Sequence, residues 1–249
     1  MSESRQRTTP MGTLLGSLTL LLLWQGASML LARPILPPPT VVVPLFLAAL
    51  PGDLGLHLLA STARVLAAVF LAVITAAPLG LALGQLPKLD RIMGPLIAII
   101  YPIPKIIFLP VIYVLLGITD FSKIILIAII IFFQILVVVR DEAAGLRREL
   151  IVSVQSLGAG RRALFRYVYL PASIPAVLTA LRVSVGTAVA VLFIAEQSLT
   201  SWGLGYYIVV ETYQVLMYPE MYTGIMAMGL LGASLYGLIH AIETRYSKG

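Results

Sequence analysis

Residues 123–162 read KIILIAIIIFFQILVVVRDEAAGLRRELIVSVQSLGAGRR, an apolar run that ends abruptly in a polar, basic stretch. From residue 124 to 139, Gln134 carries the only polar side chain. A helix that is apolar on every face is stable inside a membrane or a large protein core rather than at a water surface. The stretch therefore predicts a membrane-crossing helix and a loop that follows it at the membrane surface.

The whole chain shares this composition. Of its 249 residues, 59% are hydrophobic and 11% are charged, and the mean hydropathy is +1.00. Soluble domains carry roughly 25% charged residues, so a soluble fold is excluded and one membrane domain is expected. The absence of cysteine excludes disulfides, thiolate metal sites and cysteine nucleophiles. His57 and His240 lack a second histidine one helical turn away, so no metal site is predicted.

Six apolar runs approach or exceed the roughly 20 helical residues that cross a bilayer core. The sequence predicts an all-α integral membrane protein with six transmembrane helices over residues 13–31, 58–86, 92–117, 123–139, 174–195 and 222–242. The first run is expected to be retained, because it is longer than a signal-peptide core and lacks a small-x-small cleavage site. Prolines exclude a helix over residues 33–40, and a short helix is expected over residues 41–50.

Two spans carry local signals of packing or distortion. Gly80 and Gly84 leave one face of the second span without side chains, so another helix is able to approach it closely. The third span is interrupted by Pro95, Pro102, Pro104 and Pro110. Each proline removes a backbone donor, so this span is expected to be kinked.

Basic residues mark one side of the membrane. With a cytoplasmic N-terminus, the inside segments hold Arg5, Arg7, Lys88, Arg91, Arg140, Arg147, Arg148, Arg161, Arg162, Arg166, Arg245 and Lys248, and the outside segments hold little beyond Arg33 and Lys123. The positive-inside rule then predicts that both termini lie in the cytoplasm. The expected location of this multi-pass protein is a bacterial-type inner membrane. The expected parts are a tail over residues 1–12, one transmembrane domain over 13–242 and a tail over 243–249. This topogenic charge accounts for the sequence pI of about 9.7 without nucleic-acid binding.

The polar stretch over residues 140–173 is long for a connection between two spans, so structure of its own is expected. Its apolar residues recur at helical spacing, first as Leu150, Val154 and Leu157 and then as Leu164, Phe165 and Val168. Gly158 and Gly160 separate the two groups. The pattern predicts two short amphipathic helices joined at a glycine turn, the second of them ended by Pro171 and Pro175.

The spacing within this loop is specific. Gly158 is followed after nine residues by Val168-Tyr-Leu-Pro171. The loop therefore resembles the EAA loop of binding-protein-dependent ABC importer permeases, in which Glu-Ala-Ala, three residues, Gly and nine residues precede Ile-x-Leu-Pro. Val-Ser-Val at 152–154 takes the place of the triplet, so the family's acidic residue is absent. The literal Glu-Ala-Ala at 142–144 does not fit, because Arg148 and Arg161 stand where its Gly and Pro belong.

Further motifs extend the resemblance over most of the chain. Arg182-Val-Ser-Val-Gly186, Ala195-Glu196, Gly203-Leu-Gly-Tyr206 and Tyr101-Pro-Ile-Pro104 make the chain similar to MetI-like permeases that serve taurine, alkanesulfonates, nitrate and thiamine precursors. The resemblance implies a homodimeric permease domain, two cytoplasmic ABC ATPases that bind ATP and Mg, and an external binding protein. It favours a small anionic solute, and it implies neither a cofactor nor a catalytic residue in this chain.

The same resemblance assigns the ATPase contact to loop residues, which are Val152, Ser153, Val154, Gln155, Ser156, Leu157, Gly158, Ala159, Arg161, Leu170 and Pro171. Because Val152 replaces the acidic residue, docking is expected to rely on Leu157, Gly158, Ala159 and the apolar face.

Four charged residues interrupt the spans, namely Arg64, Lys105, Arg182 and Glu196. A charge in a span costs on the order of a few kcal/mol or more, so each needs an explanation. Arg64 and Glu196 lie near helix ends and are expected to snorkel. Lys105 and Arg182 leave two interpretations open, a place in the pathway or a packing and pairing role. The candidate pathway residues are Tyr101, Lys105, Arg182 and Glu196.

Three alternatives are weighed against the importer permease. A secondary carrier or channel does not need a two-helix loop of this spacing, and no inverted repeat is visible. A membrane enzyme needs His, Asp or Glu at catalytic spacing, which the sequence lacks. Without a Gly-x4-Gly-Lys-[Ser/Thr] motif, nucleotide binding by this chain is not expected. Residues 198–207 fit an interfacial turn, with docking of the binding protein or closure of an outer gate as the other interpretation.

Overall fold

The computed structural model describes residues 10–197 and 200–246, and this part of the chain is almost entirely helical. The helices are α1 Pro10–Leu31, α2 Pro39–Ala49, α3 Asp53–Gln85, α4 Pro87–Ile100, α5 Leu109–Leu116, α6 Asp120–Ala144, α7 Arg148–Ser156, α8 Arg161–Leu164, α9 Leu170–Glu196, α10 Leu204–Tyr206 and α11 Tyr218–Tyr246. A 3₁₀ helix, Lys105–Phe108, precedes α5, and π-helical segments Phe165–Tyr169 and Tyr207–Tyr213 precede α9 and follow α10. The predicted ends of both tails, residues 1–9 and 247–249 with Arg5, Arg7 and Lys248, lie outside the described residues.

The all-α membrane fold is confirmed. Five helices are long and apolar enough to cross a membrane, and α4 together with α5 supplies a sixth span. The helices extend past the apolar runs, because polar residues continue them at the ends. In α6 the run of 123–139 grows to Asp120–Ala144, and the Thr119 hydroxyl oxygen caps the start by accepting from the Ser122 N–H at 3.3 Å.

The bundle has two ends, which we name from the helix directions. At the loop end, α3 and α6 finish and α9 begins, and the loop with α7 is found there. At the far end, α3 and α6 begin and α9 finishes. The ion pair between Arg64 of α3 and Glu196 of α9 marks the far end, and the hydrogen bond from Gln85 to the Ala143 carbonyl marks the loop end.

The core of the bundle forms where α6 packs between α3 and α9. Gly80 and Gly84 allow α3 to approach α6, as predicted. A Cβ at Gly80 would lie 2.9 Å from the Leu136 carbonyl oxygen, and one at Gly84 would lie 2.5 Å from the Arg140 carbonyl oxygen. Both distances are too short for a real contact, so the two helices meet backbone to backbone at these glycines.

Helices extend into the polar stretch from both sides, and its second helix does not end where expected. The fourth span continues to Ala144, so the irregular loop begins at Gly145. The prediction that Pro171 and Pro175 end the second loop helix is wrong, because helical structure runs on from Arg162 to Glu196. A π-helical turn precedes Pro171, where the Leu170 N–H bonds back to the Phe165 carbonyl. Such a wider turn makes room for a proline that lacks a donor.

α1 lies at the edge of the bundle. Of the residues in its apolar stretch Leu14–Leu31, only 6% are buried inside the bundle. It is held near its end, where the Trp24 indole N–H donates to the Pro37 carbonyl at 3.0 Å and the ring stacks on Tyr222. Ser28 donates to the Leu36 carbonyl at 2.7 Å. The first span is therefore attached mainly through the proline-rich connection to α2.

Candidate functional site

α7 and the glycine turn after it stand apart from the spanning helices. α7 packs mainly against α8, and Val152 and Leu157 are 51% and 85% exposed. Gly158 has φ +82° and its N–H bonds to the Gln155 carbonyl at 2.9 Å, which ends α7 in the left-handed conformation that glycine favours. A Cβ there would meet nothing within 4 Å, so the surface around the turn is open.

The other predicted ATPase contacts are divided between two places. Ser153, Gln155 and Ser156 are exposed and Val154 and Ala159 are half-buried on the same short helix and turn. Leu170 and Pro171 are exposed on the continuous helix beyond the π-helical segment. The side chain of Arg161 lies outside the described residues.

The third span is broken at its middle. α4 and the following helical stretch Lys105–Leu116, which includes α5, meet there at a bend of 82°. Residues 101–104 are exposed there, and Tyr101 is 45% exposed. Lys105 is buried, and its Nζ donates to the carbonyls of Ile100, Tyr101 and Ile103 at 3.1, 2.7 and 3.1 Å. Its ammonium also lies 4.6 Å from the centre of the Phe133 ring. Lys105 thus bonds three carbonyls at the break, of which that of Ile100 also accepts from the Ile103 N–H at 3.2 Å.

Arg182 has a partner on another spanning helix. Its Nε lies 3.3 Å from Glu243 Oε2 of α11, and the Thr179 hydroxyl donates to Glu243 Oε1 at 2.9 Å. His240 Nδ1 lies 3.8 Å from the same carboxylate. The Arg182 side chain is 30% exposed, so its charge is paired with Glu243 but remains partly accessible.

Arg64 and Glu196 do not snorkel, and that prediction is wrong. They are 4% and 0% exposed, and they pair with each other at 2.5 Å. Arg64 also binds Asp120 at 2.7 Å and the Trp202 carbonyl at 2.8 Å. Side chains near a helix end cannot extend to the membrane–water interface when the next segment folds back over them. Here residues 200–205 cover both side chains.

His57 and Ser61 join this buried group, and the sequence reasoning missed both. The Ser61 hydroxyl donates to Glu196 Oε2 at 2.7 Å and accepts from the Leu204 N–H at 2.8 Å. His57 Nδ1 accepts from the Gly203 N–H at 3.0 Å, and its Nε2 lies 3.2 Å from Glu211. The available signal was their spacing with Arg64, since residues four and seven apart share one face of a helix.

Lys123, predicted as an outside topogenic charge, is also part of this far-end group. It is 2% exposed and donates to the Thr200 hydroxyl at 2.6 Å, with Asp120 at 3.6 Å. Of the predicted interfacial turn, residues 198 and 199 lie outside the described residues, Trp202 is 47% exposed and Gly203 is buried. The turn is therefore tucked into the bundle rather than laid along its surface.

An open groove of about 640 Å³ runs between α9 and α11. Its walls are apolar, with Val189 and Phe193 on one side and Met228 on the other, and Ile208 borders it. Gly186 and Gly229 line it with no atom within 4 Å of a Cβ at either position. Among the described residues, no charged side chain that could recognise a small anion lines the groove.

Comparison with known proteins identifies the family. The family described as binding-protein-dependent transport system inner membrane component matches residues 68–248. The taurine transport system permease protein TauC of Escherichia coli (strain K12) is 32% identical over 249 residues, which cover 97% of this chain and 90% of that protein. The putative aliphatic sulfonates permease SsuC of Bacillus subtilis (strain 168) is 25% identical, with 98% and 89% covered.

A third relative and a solved structure agree with these matches. The formylaminopyrimidine transport permease ThiX of Halalkalibacterium halodurans is 26% identical, with 91% of this chain and 90% of that protein covered. The inward-facing MetNI methionine ABC transporter shares the fold, with a TM-score of 0.63 and 20% identity over 78% of this chain and 96% of that chain.

These matches favour the importer over the carrier, channel and enzyme alternatives, and they confirm the subfamily resemblance read from the loop and span motifs. The apolar spanning helices agree with an inner-membrane component. The chain belongs to the binding-protein-dependent transport system inner membrane component family and is the permease subunit of an ABC importer.

Proposed function

We propose that two copies of this chain form one translocation pathway for a small organic anion. Each copy binds one cytoplasmic ABC ATPase through the loop after α6, and the ATPases bind ATP and Mg. An external binding protein delivers the solute at the far end. The basic residues support this orientation, since Lys88, Arg91 and Arg140 lie at the loop end.

The bend in the third span is the observation that carries the pathway. Lys105 forms no ion pair with any residue in the described ranges, and its three carbonyl partners satisfy its hydrogen bonds without cancelling its charge. Irregular backbone and a lone charge are tolerated at membrane depth only where protein or water covers them. Residues 101–104 are exposed on a single chain, so a second copy and a solvated path are the expected cover.

The nature of the solute follows from the same charge and from the relatives. Arg182 already faces the Glu243 carboxylate, so Lys105 is the better candidate for attracting an anion. The names of two relatives refer to taurine and aliphatic sulfonates, which carry a sulfonate group. We propose a small sulfonate as the solute to test first.

The exposed α7 and glycine turn support the ATPase contact. A short helix that presents Leu150, Val152 and Leu157 to solvent leaves apolar surface uncovered, which is typical of a protein interface. The open space at Gly158 leaves room for a partner to approach the backbone closely.

Gly158→Asp tests this contact, because a Cβ at this position meets nothing within 4 Å and Asp is among the residues that tolerate the φ of +82° best after glycine. We expect the permease to accumulate normally in membranes while the copurifying ATPase and sulfonate uptake fall at least tenfold. Gly117→Asp is the matched control, since Gly117 is an exposed glycine with a similar φ of +75° at the far end. Normal ATPase copurification and uptake by Gly158→Asp would contradict the proposed contact.

A further inference from the structure

We propose that Glu196 and Arg64 are positioning residues that fix the main chain of residues 202–205, and through it the far-end segment up to Met217, in the shape that transport requires. The inference rests on the proposed function only because sulfonate uptake is one of the two quantities that its test measures. It assigns these two buried charges a task other than contact with the solute.

The first support is the number of hydrogen bonds that buried side chains of α3 and α9 form with main-chain atoms of residues 202–205. Glu196 Oε2 accepts from the Gly205 N–H at 3.1 Å, and Arg64 donates to the Trp202 carbonyl at 2.8 Å. Ser61 and His57 accept from the N–H groups of Leu204 and Gly203. Four consecutive residues, 202–205, are therefore each bonded to a side chain of α3 or α9.

The second support is how closely this turn fits against the two charges. Gly203 has φ +125°, a conformation that side chains rarely adopt, and a Cβ there would lie 2.5 Å from Arg64 Nη1. A Cβ at Gly205 would lie 2.6 Å from the Phe193 carbonyl oxygen. The turn fits only because glycine stands at both positions.

Stability alone does not account for a buried ion pair here. Removing two charges from water costs about as much as their attraction returns, and apolar residues of similar size often serve as well. Hydrogen bonds to a carboxylate and a guanidinium have fixed directions, so they select one arrangement of the chain. The pair is thus suited to specify the shape of the turn.

Both oxygens of Glu196 are already occupied. Oε1 faces Arg64, and Oε2 receives Ser61 and the Gly205 N–H. With its side chain 0% exposed, Glu196 has no free lone pair directed at open space in this conformation. This geometry favours positioning over direct contact with the solute.

The held turn controls where the following segment lies. Beyond it, Ile208 is buried against α11, where a Cβ at Gly224 would come within 2.6 Å of Ile208. The segment then ends in an exposed apolar tip at Tyr213, Val215 and Leu216, and Leu216 has φ +65°. A residue other than glycine in this conformation signals a backbone held by its surroundings.

The test uses the absence of cysteine from this chain, which allows a single spin label at Val215→Cys. Glu196→Gln keeps the volume of the side chain but removes its charge and one acceptor oxygen. In the intact transporter we expect Glu196→Gln to increase the mobility of the label at position 215 and to lower sulfonate uptake at least tenfold. A label at Lys88→Cys, exposed at the loop end and outside the proposed ATPase contact, is the control and should not change.

Ser61→Ala is the milder variant in case Glu196→Gln fails to accumulate. It removes the bonds to Leu204 and Glu196 without leaving a charge unpaired, and a smaller change in the same direction is expected. Uptake at the parent rate, or lost uptake with an immobile label at 215, would overturn the proposal. Failure of the proposed ATPase contact would instead show in Gly158→Asp and would leave this label unaffected.

Discussion

Lys105 shows how one side chain repairs a break in a membrane helix. Pro102 and Pro104 remove donors on both sides of Ile103, so the regular hydrogen bonds of α4 stop here, and the Ile100 carbonyl accepts instead from the Ile103 N–H at 3.2 Å. The Lys105 ammonium has three hydrogens, which match the three carbonyls it meets. This bonding explains how the charge is held at the bend. Because no acidic side chain in the described ranges pairs with it, we propose a place for it in the pathway.

Lys105→Met should therefore destabilise the folded protein as well as impair uptake. The substitution removes three hydrogen bonds, each of which contributes about 1 kcal/mol, so the apparent melting temperature of the detergent-solubilised protein should fall. Lys88→Met is the control, because Lys88 is exposed at the start of α4. An unchanged melting temperature for Lys105→Met would show that the carbonyls do not depend on this side chain.

At the scale of the helices, α3 and α6 form the central contact of the bundle. The two helices run in the same direction, and Gly80 and Gly84 bring their backbones together. Arg140 of α6 also forms an ion pair with Asp90 at the start of α4, at 2.5 Å. These contacts fix the loop end of three helices next to the loop that is proposed to meet the ATPase.

Gly84→Ala should weaken this contact. The added methyl would lie 2.5 Å from the Arg140 carbonyl oxygen, so the helices must separate, at a cost of about 1–3 kcal/mol. Gly237→Ala is the matched control, because a Cβ at that helical position meets nothing within 4 Å. Thermal unfolding of the two variants in the same detergent would check this, and equal melting temperatures would contradict the close approach.

At the scale of the whole molecule, a single chain leaves the bend of the third span uncovered. In a two-fold dimer, a residue near the axis faces its own copy, so a single cysteine there forms a disulfide between chains. The natural chain has no cysteine, so each engineered cysteine acts alone.

Single cysteines at Tyr101, Ile103 and Ile107, all exposed, should give cross-linked dimers on mild oxidation of membranes. Leu22→Cys is the control, since α1 lies at the edge of the bundle and Leu22 is 72% exposed. Gel electrophoresis without reductant would detect the dimer. Cross-linking at Leu22 with none at the three bend positions would place the axis elsewhere.

The candidate site was only partly readable from the sequence. The glycine turn at Gly158 followed from spacing, since a left-handed helix end is a local property of the chain. The course of the helix through Pro171 was mispredicted, because the π-helical turn that accommodates this proline has no simple sequence signal. The roles of His57 and Ser61 were missed because their partners lie far away in the chain, 146 and 135 residues distant.

The sequence by itself determined the membrane class, the six spans, the exposed loop and the family. These depend on hydropathy and spacing, which are properties of neighbouring residues. Only the tertiary structure decided that Arg64 and Glu196, 132 residues apart, are paired and buried, and that Lys105 bonds the carbonyls of its own bend. For Arg64 and Glu196 the physical reason is that a buried charge takes the partner that the packing of distant helices provides. For Lys105 it is that the three-dimensional course of the bend decides which carbonyls the ammonium reaches.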